Sequence, residues 1–175
     1  MAIQAMWVHG NNVVAERVGG GNVSSPGPFA NVDGVPWSDV VGLRQGWGCT
    51  YRGKANQGNW FHFTLPTPCW REGVRAKLQR VFILFRLFDA EARITSVHVW
   101  DGPNRLIAWD FGRAQGLRGD RSNQIYWGTN LDNANSCEFR NPPEIHFGVV
   151  VCVYVDFGPR EGNVLFTSAG GDFIV

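Results

Sequence analysis

The sequence lacks several features by which large classes of proteins are recognised. Its 175 residues carry a formal net charge of only +1, so the overall charge does not favour nucleic acid or an anionic membrane as a partner. Only two of the sixteen basic residues are lysine, and the arginines are scattered rather than clustered. The longest apolar run, from Gly148 to Val155, is too short to span a membrane and is typical of a buried strand.

No targeting segment is visible in the sequence, and the cysteine spacing does not indicate a disulfide framework. The opening residues, MAIQAMWVHG, have neither the basic region nor the unbroken apolar region of a secretory signal. Four cysteines are present, without CxxC spacing and far apart in the chain: Cys49, Cys69, Cys137 and Cys152. We therefore expect thiols rather than disulfides, and a cytoplasmic protein. Because Cys152 alternates with Val150 and Tyr154, it is predicted to be a small core residue.

The common catalytic motifs are absent too. The sequence contains no GxSxG, HExxH, P-loop or GxGxxG pattern, and we expect neither enzymatic activity nor a cofactor. The four histidines lie singly in strand-like segments. A metal-dependent enzyme that gathers His62, His98 and His146 from adjacent strands is therefore only a third hypothesis for the function.

What the sequence does contain is strand-like and aromatic. Twelve Phe and eight Trp, with 44% hydrophobic residues, predict a folded protein with a real core. No stretch of ten or more residues has a helical apolar period, whereas short apolar segments alternate with turn signals. We predict an all-β fold: one antiparallel β-sandwich, jelly-roll-like, with about ten strands and little helix, spanning residues 1–175 with a Gly/Pro-rich loop at 19–36. The residues expected to be almost fully buried are Val81, Ile83, Phe85, Val149, Val151 and Val153.

One segment, NWFHFTL, alternates between apolar and mixed side chains. Phe61, Phe63 and Leu65 are predicted to face the core. The opposite face carries Trp60 and His62, which we expect to line a groove or face solvent.

A hairpin predicted within VHVWDGPNRLIAWD places further aromatic residues together. Proline suits the first central position of a turn, so the turn is predicted at residues 102–105. In that register Trp100 pairs with Ile107 and His98 with Trp109, and paired residues share a face. The opposite face is predicted to carry Val97, Val99 and Ala108.

Two indoles beside an imidazole can stack on a sugar ring or a base. The candidate ligand-binding residues are Trp100, Trp109, His98, Asp101, Arg105, Trp60 and His62. The leading hypothesis is a non-catalytic binding module for a weakly bound polar ligand, such as a glycan. The alternative is a structural or self-assembling protein, for example a homo-oligomer, whose aromatic faces are core or subunit interface.

Four segments, GWGCTYRG, NWFHFTLPTP, VHVWDGP and VLFTSAGGDF, and the MAIQAMW start form a set of motifs. With this set the sequence resembles a family of small bacterial β-rich proteins of unknown function. The resemblance covers nearly the whole chain. It implies a single β-rich domain, and it brings no activity or catalytic residue.

Overall fold

Strands make up most of the structure, a computed structural model that describes residues 2–17, 23–24, 31–32, 35–36, 42–128, 131 and 134–175. The strands are β1 (Ile3–His9), β2 (Val14–Ala15), β3 (Val23–Ser24), β4 (Asn31–Val32), β5 (Val35–Pro36), β6 (Leu43–Gln45), β7 (Gly48–Gly53), β8 (Gly58–Thr64), β9 (Trp70–Arg71), β10 (Val74–Arg75), β11 (Lys77–Leu87), β12 (Arg93–Asp101), β13 (Asn104–Asp110), β14 (Ser136–Glu138), β15 (Val149–Asp156) and β16 (Gly162–Ile174). Within the described ranges, helix is limited to a 3₁₀ turn at Gly10–Asn12, to α1 (Gly112–Gln115) and to the 3₁₀ residue Leu131. The predicted all-β class with little helix is confirmed.

Two large antiparallel sheets contain most of the strands. The seven-stranded sheet has the order β14-β11-β16-β7-β3, with β1 also pairing with β16 and β6 with β7. The five-stranded sheet has the order β13-β12-β15-β8-β2. Two short ribbons, β9-β10 and β4-β5, lie outside these sheets.

The hydrophobic core is formed by side chains from both large sheets. Phe61 of the five-stranded sheet lies with its ring centroid 4.9 Å from Tyr51 and 5.0 Å from Phe166, both in the seven-stranded sheet. Phe63 also contacts Phe166, at 5.3 Å. The six residues predicted to be buried are all 0% exposed, which confirms the prediction: Val81, Ile83, Phe85, Val149, Val151 and Val153.

The alternation of β8 also agrees with the sequence analysis. Phe61 and Phe63 are 0% exposed, whereas Trp60 and His62 are only partly buried on the opposite face. Because successive side chains of a strand point to opposite faces, the residues that fill the core determine which residues face outward.

The chain passes from the seven-stranded sheet to the five-stranded sheet between β1 and β2. Gly10 lies at this crossing, and a Cβ there would be 1.8 Å from the carbonyl oxygen of Phe166, so only glycine fits. After the crossing, Val14 pairs with His62 of β8. This pairing brings Glu16 to the outer face of the five-stranded sheet.

Three further predictions concern the loop at 19–36, the cysteines and membrane-spanning segments. The predicted loop at 19–36 lies largely outside the described residues; its described pairs 23–24, 31–32 and 35–36 form short strands. No two cysteines form a disulfide in the described part of the chain. A helix long and apolar enough to cross a membrane was not found among the described residues.

Candidate functional site

The outer face of the five-stranded sheet contains a groove of about 440 Å³. Its floor is formed by the adjacent strands β12, β15 and β8, whose inward side chains are buried in the core. We call this the outer groove. It is lined by Glu16, Trp60, His62, His98, Trp100, Gly102, Val150 and Cys152.

A thiol lies between two imidazoles on the floor of the outer groove. Cys152 of β15 pairs with His62 of β8 on one side and with His98 of β12 on the other. Cross-strand partners share a face of the sheet, so the three side chains form a row. Within this row, His62 Nδ1 lies 3.2 Å from Cys152 Sγ.

A carboxylate extends this row at each end. Glu16 Oε2 is 3.3 Å from His62 Nε2, and Asp110 Oδ1 is 2.9 Å from His98 Nε2. The hydrogen bond from His98 is the largest influence on Asp110 and lowers the pKa of that carboxyl group. Each imidazole therefore has a carboxylate partner that holds its ring in place.

Cys152 itself is largely shielded from water. Its residue is 8% exposed. Burial, and secondly the negative charge of Glu16, raise the pKa of the Cys152 thiol to about 11. The thiol is therefore protonated at neutral pH, and its S–H is available to donate to His62 Nδ1.

Two indoles lie at the sides of the outer groove. The ring of Trp60 is 4.7 Å from that of His98 and 5.2 Å from that of Tyr154, with tilted planes. The guanidinium carbon of Arg105 is 5.8 Å from the ring centroid of Trp100. Four of the predicted ligand-binding residues thus line one groove, and Arg105 lies beside it.

The predicted register of the β12-β13 hairpin is wrong. The structure pairs Asp101 with Asn104, so the turn is centred on Gly102 and Pro103, and a bulge follows at Val99 and Trp100. Gly102 has φ +55°, which suits glycine at the first central position of a tight hairpin turn. The prediction had placed Pro103 at that position.

The displaced turn changes the pairing by two residues and leaves the faces as predicted, whereas the bulge changes it by one residue and moves Trp109 to the other face of the sheet. Trp109 pairs with Val97, which is fully buried. Its ring packs against the core and lies 5.9 Å from that of Phe139. His98 instead pairs with Ala108. The predicted platform of Trp100 and Trp109 on one face is therefore corrected, and Trp60 is the indole that shares the outer groove with Trp100.

Asp101 has structural contacts rather than a place in the groove. It is 1% exposed, and its carboxylate accepts hydrogen bonds from the backbone N–H groups of His146, Phe147 and Gly148 at 2.8, 2.8 and 2.9 Å. Burial, the largest single influence, opposes ionisation, but the three backbone donors and His146 together outweigh it and lower the pKa of Asp101. Asp101 thus fastens the loop before β15 to the hairpin turn.

The three histidines considered as candidate metal ligands, His62, His98 and His146, do not lie together in the structure. His62 and His98 share the outer groove, whereas the ring of His146 lies against that of Phe147, at 6.3 Å. No group of three or more His, Cys, Asp or Glu side chains that could hold a metal ion occurs among the residues the structure describes.

Another cavity, of about 820 Å³, lies beside the β9-β10 ribbon. Its lining includes Arg71, Arg75 and Lys77, and Glu72 partly neutralises it through a 3.8 Å contact with Arg71. None of the predicted site residues lines this cavity.

Four lining residues of the outer groove were not among the predicted site residues: Glu16, Gly102, Val150 and Cys152. Cys152 is buried, as predicted, but it is on the groove floor and is not a member of the core cluster. Its alternation with Val150 and Tyr154 indicated the shared face but not which face pointed outward. Glu16 had no sequence signal at all, because its position depends on the pairing of β2 with β8.

The fold and the groove define an all-β protein with an outer groove lined by indole, imidazole and thiol groups. The chain belongs to a family of unknown function (DUF6623), whose model matches residues 44–164. The matched range contains every lining residue of the outer groove except Glu16. Searches of curated proteins and of solved structures found no match.

Proposed function

We propose that the protein is a non-catalytic binding module whose outer groove takes a small polar ligand, such as a glycan. The observation that carries this proposal is the presence of two indoles, Trp60 and Trp100, in the lining of one groove together with His62 and His98. Its volume of about 440 Å³ is within the usual range of small-molecule sites.

The lining matches the chemistry of a sugar ring. An indole face takes the apolar C–H face of the sugar, while hydroxyl groups need hydrogen-bond partners at the edge. Glu16 and the two imidazoles supply such partners in the outer groove. The contacts of Trp60 with His98 and Tyr154 hold its ring in one orientation, which reduces the entropy lost on binding.

The expected affinity is low. Stacking on an aromatic side chain contributes about 1 to 3 kcal/mol per ring, so two indoles alone correspond to a Kd near the millimolar range. Useful affinity would then come from polar contacts or from several modules acting together.

An NMR titration with a panel of mono- and oligosaccharides tests the proposal. Each of the eight indole N–H groups gives its own signal, and single Trp→Phe variants assign them. We expect a ligand to shift the signals of Trp60 and Trp100 while that of Trp47 stays unchanged. Trp47 is 59% exposed and lies outside the outer groove.

Matched variants make the test quantitative. Trp100→Ala should weaken binding about 5- to 100-fold, which corresponds to the loss of one stacked ring. Trp47→Ala should leave the affinity unchanged. If no sugar shifts the Trp60 or Trp100 signal at tens of millimolar, the binding-module proposal is wrong.

A specific surface favours self-assembly as the second candidate function. On the outer side of the seven-stranded sheet, Trp7 stacks on Phe82 at 4.9 Å and 10°, and Trp127 contacts Phe82 edge-on at 5.8 Å. Trp7 and Trp127 are 40% and 64% exposed. Exposed aromatic clusters of this kind are typical of protein contacts.

Analytical ultracentrifugation distinguishes this second candidate. A concentration-dependent dimer or larger assembly that Trp127→Ala converts to monomer would support self-assembly through this surface. A monomer at all concentrations would exclude it.

We also propose that the two large sheets form a single jelly-roll-like sandwich domain over residues 1–175. The shared core, in which Phe61 contacts Tyr51 and Phe166 across the sheets, supports this. Urea unfolding followed by tryptophan fluorescence and by far-UV circular dichroism should give one coincident transition. Two separate transitions would contradict it.

A further inference from the structure

The outer groove contains a row of three interacting side chains, Cys152, His62 and Glu16, that a binding module does not need. Cys152 Sγ is 3.2 Å from His62 Nδ1, and His62 Nε2 is 3.3 Å from Glu16 Oε2. A nucleophile, a base in hydrogen-bond reach of it and a third group that orients the base form the general arrangement of an activated nucleophile.

We propose that Cys152 is a reactive thiol that adds covalently to a small carbon electrophile of the α,β-unsaturated carbonyl class, with His62 as its base and Glu16 as a positioning residue. This activity goes beyond the proposed binding function, because it requires an open groove but no stacked sugar.

The protonation states follow from the geometry. Burial keeps the thiol protonated, with its pKa raised to about 11, so the S–H donates to His62 Nδ1. In the tautomer that accepts this proton, the imidazole hydrogen is on Nε2, where it can donate to the Glu16 carboxylate. Glu16 thereby selects the tautomer whose Nδ1 is free to accept the thiol proton.

The addition balances without any further reactant. The S–H bond breaks as His62 Nδ1 takes the proton, and a bond forms between Sγ and the β-carbon of the electrophile. The electron pair of the C=C bond moves to the α-carbon, which then receives the proton back from the imidazolium. Nothing leaves, so the product has the combined mass of the protein and the electrophile.

The position of Cys152 distinguishes it from a core cysteine. Cys49 is 0% exposed and belongs to the core cluster, whereas Cys152 lines the outer groove. The flat indoles of Trp60 and Trp100 beside it suit a planar conjugated compound. The narrow exposure of Cys152 restricts the reagent to a small one.

Other titratable groups lie beside the row of Cys152, His62 and Glu16. His98 flanks Cys152 from β12 and is hydrogen-bonded to Asp110 of β13. Tyr154 lies on the same strand as Cys152 and contacts Trp60. Glu16 follows β2 and is the carboxylate that raises the pKa of the thiol.

The test uses N-ethylmaleimide on the folded protein, with the alkylated cysteine located and timed by peptide mass spectrometry. The partly buried Cys69 serves as an internal standard for the reagent, and the fully buried Cys49 reports global unfolding. We expect Cys152 to be alkylated in the native state. His62→Gln should slow this alkylation at least about ten-fold, in line with the loss of a general base, and leave the rate at Cys69 unchanged.

His9→Gln is the matched control. His9 lies in β1 of the seven-stranded sheet, and its ring contacts the carbonyl oxygen of Gly46. The same substitution there should leave the rate at Cys152 within about two-fold of the wild type, because the core separates the two sites.

The effect of Glu16→Gln on the alkylation rate of Cys152 has opposite signs for the proposed mechanism and for a simple thiolate reaction. The charge of Glu16 raises the pKa of Cys152, so its removal would speed up an unassisted thiolate. If Glu16 positions the base, the same variant slows alkylation about three- to ten-fold.

The pH profile provides a readout that a merely structural role would not change. An unassisted thiolate reacts about ten times faster for each pH unit until its pKa, near 11, is reached. Proton transfer to His62 instead makes the rate depend less steeply on pH than this, and His62→Gln should restore the ten-fold dependence of the unassisted thiolate.

Three results would overturn the proposal: a native Cys152 that is inert to the reagent, a rate that His62→Gln leaves unchanged, or a rate that Glu16→Gln increases. None of these concerns the sugar titration, so the two ideas fail independently. Circular dichroism of each variant confirms that the fold is intact before the rates are compared.

Discussion

The two faces of the five-stranded sheet are made by the same strands and differ completely in chemistry. On the inner face, Phe61, Phe63 and Val153 are 0% exposed. On the outer face, the residues between them include Trp60, His62 and Cys152 of the outer groove. Because the side-chain period is two residues, a buried core residue and a residue of the outer groove can be direct neighbours in the sequence.

The difference teaches that the two faces respond to different constraints. Inner side chains must match the core in volume and shape, because the core is closely packed and the loss of even one methylene group lowers stability. Outer side chains are tied to one another by directed contacts, such as His62 with Glu16 and His98 with Asp110. Substitutions on the inner face should therefore act on stability, and substitutions on the outer face mainly on chemistry.

The largest expected effect is on the inner face. Phe61→Ala should lower the free energy of unfolding by about 3 to 5 kcal/mol, because it leaves a cavity between Tyr51 and Phe166. Thr64→Ala, on the exposed side of the same strand, should change it by less than about 0.5 kcal/mol. Urea titration measures both. Equal effects of the two variants would contradict the separation of the faces.

The next effect concerns Asp101, a polar residue at the boundary between the faces. Asp101→Asn should cost about 1.5 to 3 kcal/mol at pH 7, because it removes the charge from three backbone hydrogen bonds. Urea titration of the variant and the wild type gives this difference. A cost below about 0.5 kcal/mol would mean that the loop at residues 146–148 is held by other contacts.

The same residue gives a pH dependence with a definite sign. The pKa of Asp101 is lowered in the folded protein, so its ionisation stabilises the fold fully above the unfolded-state value of about 3.9. That stability is lost as the pH falls from this value through the folded-state pKa. The difference between wild type and Asp101→Asn should therefore shrink below about pH 4, and a difference that grows in acid would contradict this assignment.

The smallest effect tests the hairpin turn between Trp100 and Trp109. Gly102→Ala should cost about 1 kcal/mol, since Gly102 has φ +55°, a region that alanine rarely adopts. Its new Cβ would also lie 2.7 Å from that of Phe147. Gly46→Ala, in a turn with no atom within 4 Å of the new Cβ, is the control, and urea titration compares the two. An equal cost for both would indicate that the turn is not centred on Gly102.

The hairpin also shows where sequence reasoning stops. The existence of β12, the turn and β13 could be predicted from alternation and from the Gly-Pro-Asn signal. The register could not, because either Pro103 or Gly102 can occupy the first central position of a turn. Moving the turn by one position changes the pairing by two residues and keeps each side chain on its face, but the bulge at Val99 and Trp100 changes the pairing by one residue. The bulge therefore moved Trp109 from the outer face to the core side.

Part of the candidate site was predictable from the alternation of residues along a single strand. Trp60 and His62 were assigned to the outer face because Phe61 and Phe63 must be buried, which is a local argument along one strand. The row from Glu16 through His62 to Cys152 was not predictable, because its members come from the residue after β2, from β8 and from β15. Their sequence separation carries no information on which strands are neighbours.

The sequence by itself determined the all-β class, the burial of six central core residues and the side of β8 that faces outward. These properties follow from hydrophobicity and from the two-residue period, which are written locally along the chain. Only the tertiary structure decided the neighbours of β15, the register of the hairpin and the meeting of Cys152 with two imidazoles. Strand order and register arise from contacts between distant segments, since each strand can pair in several ways until the whole core is packed.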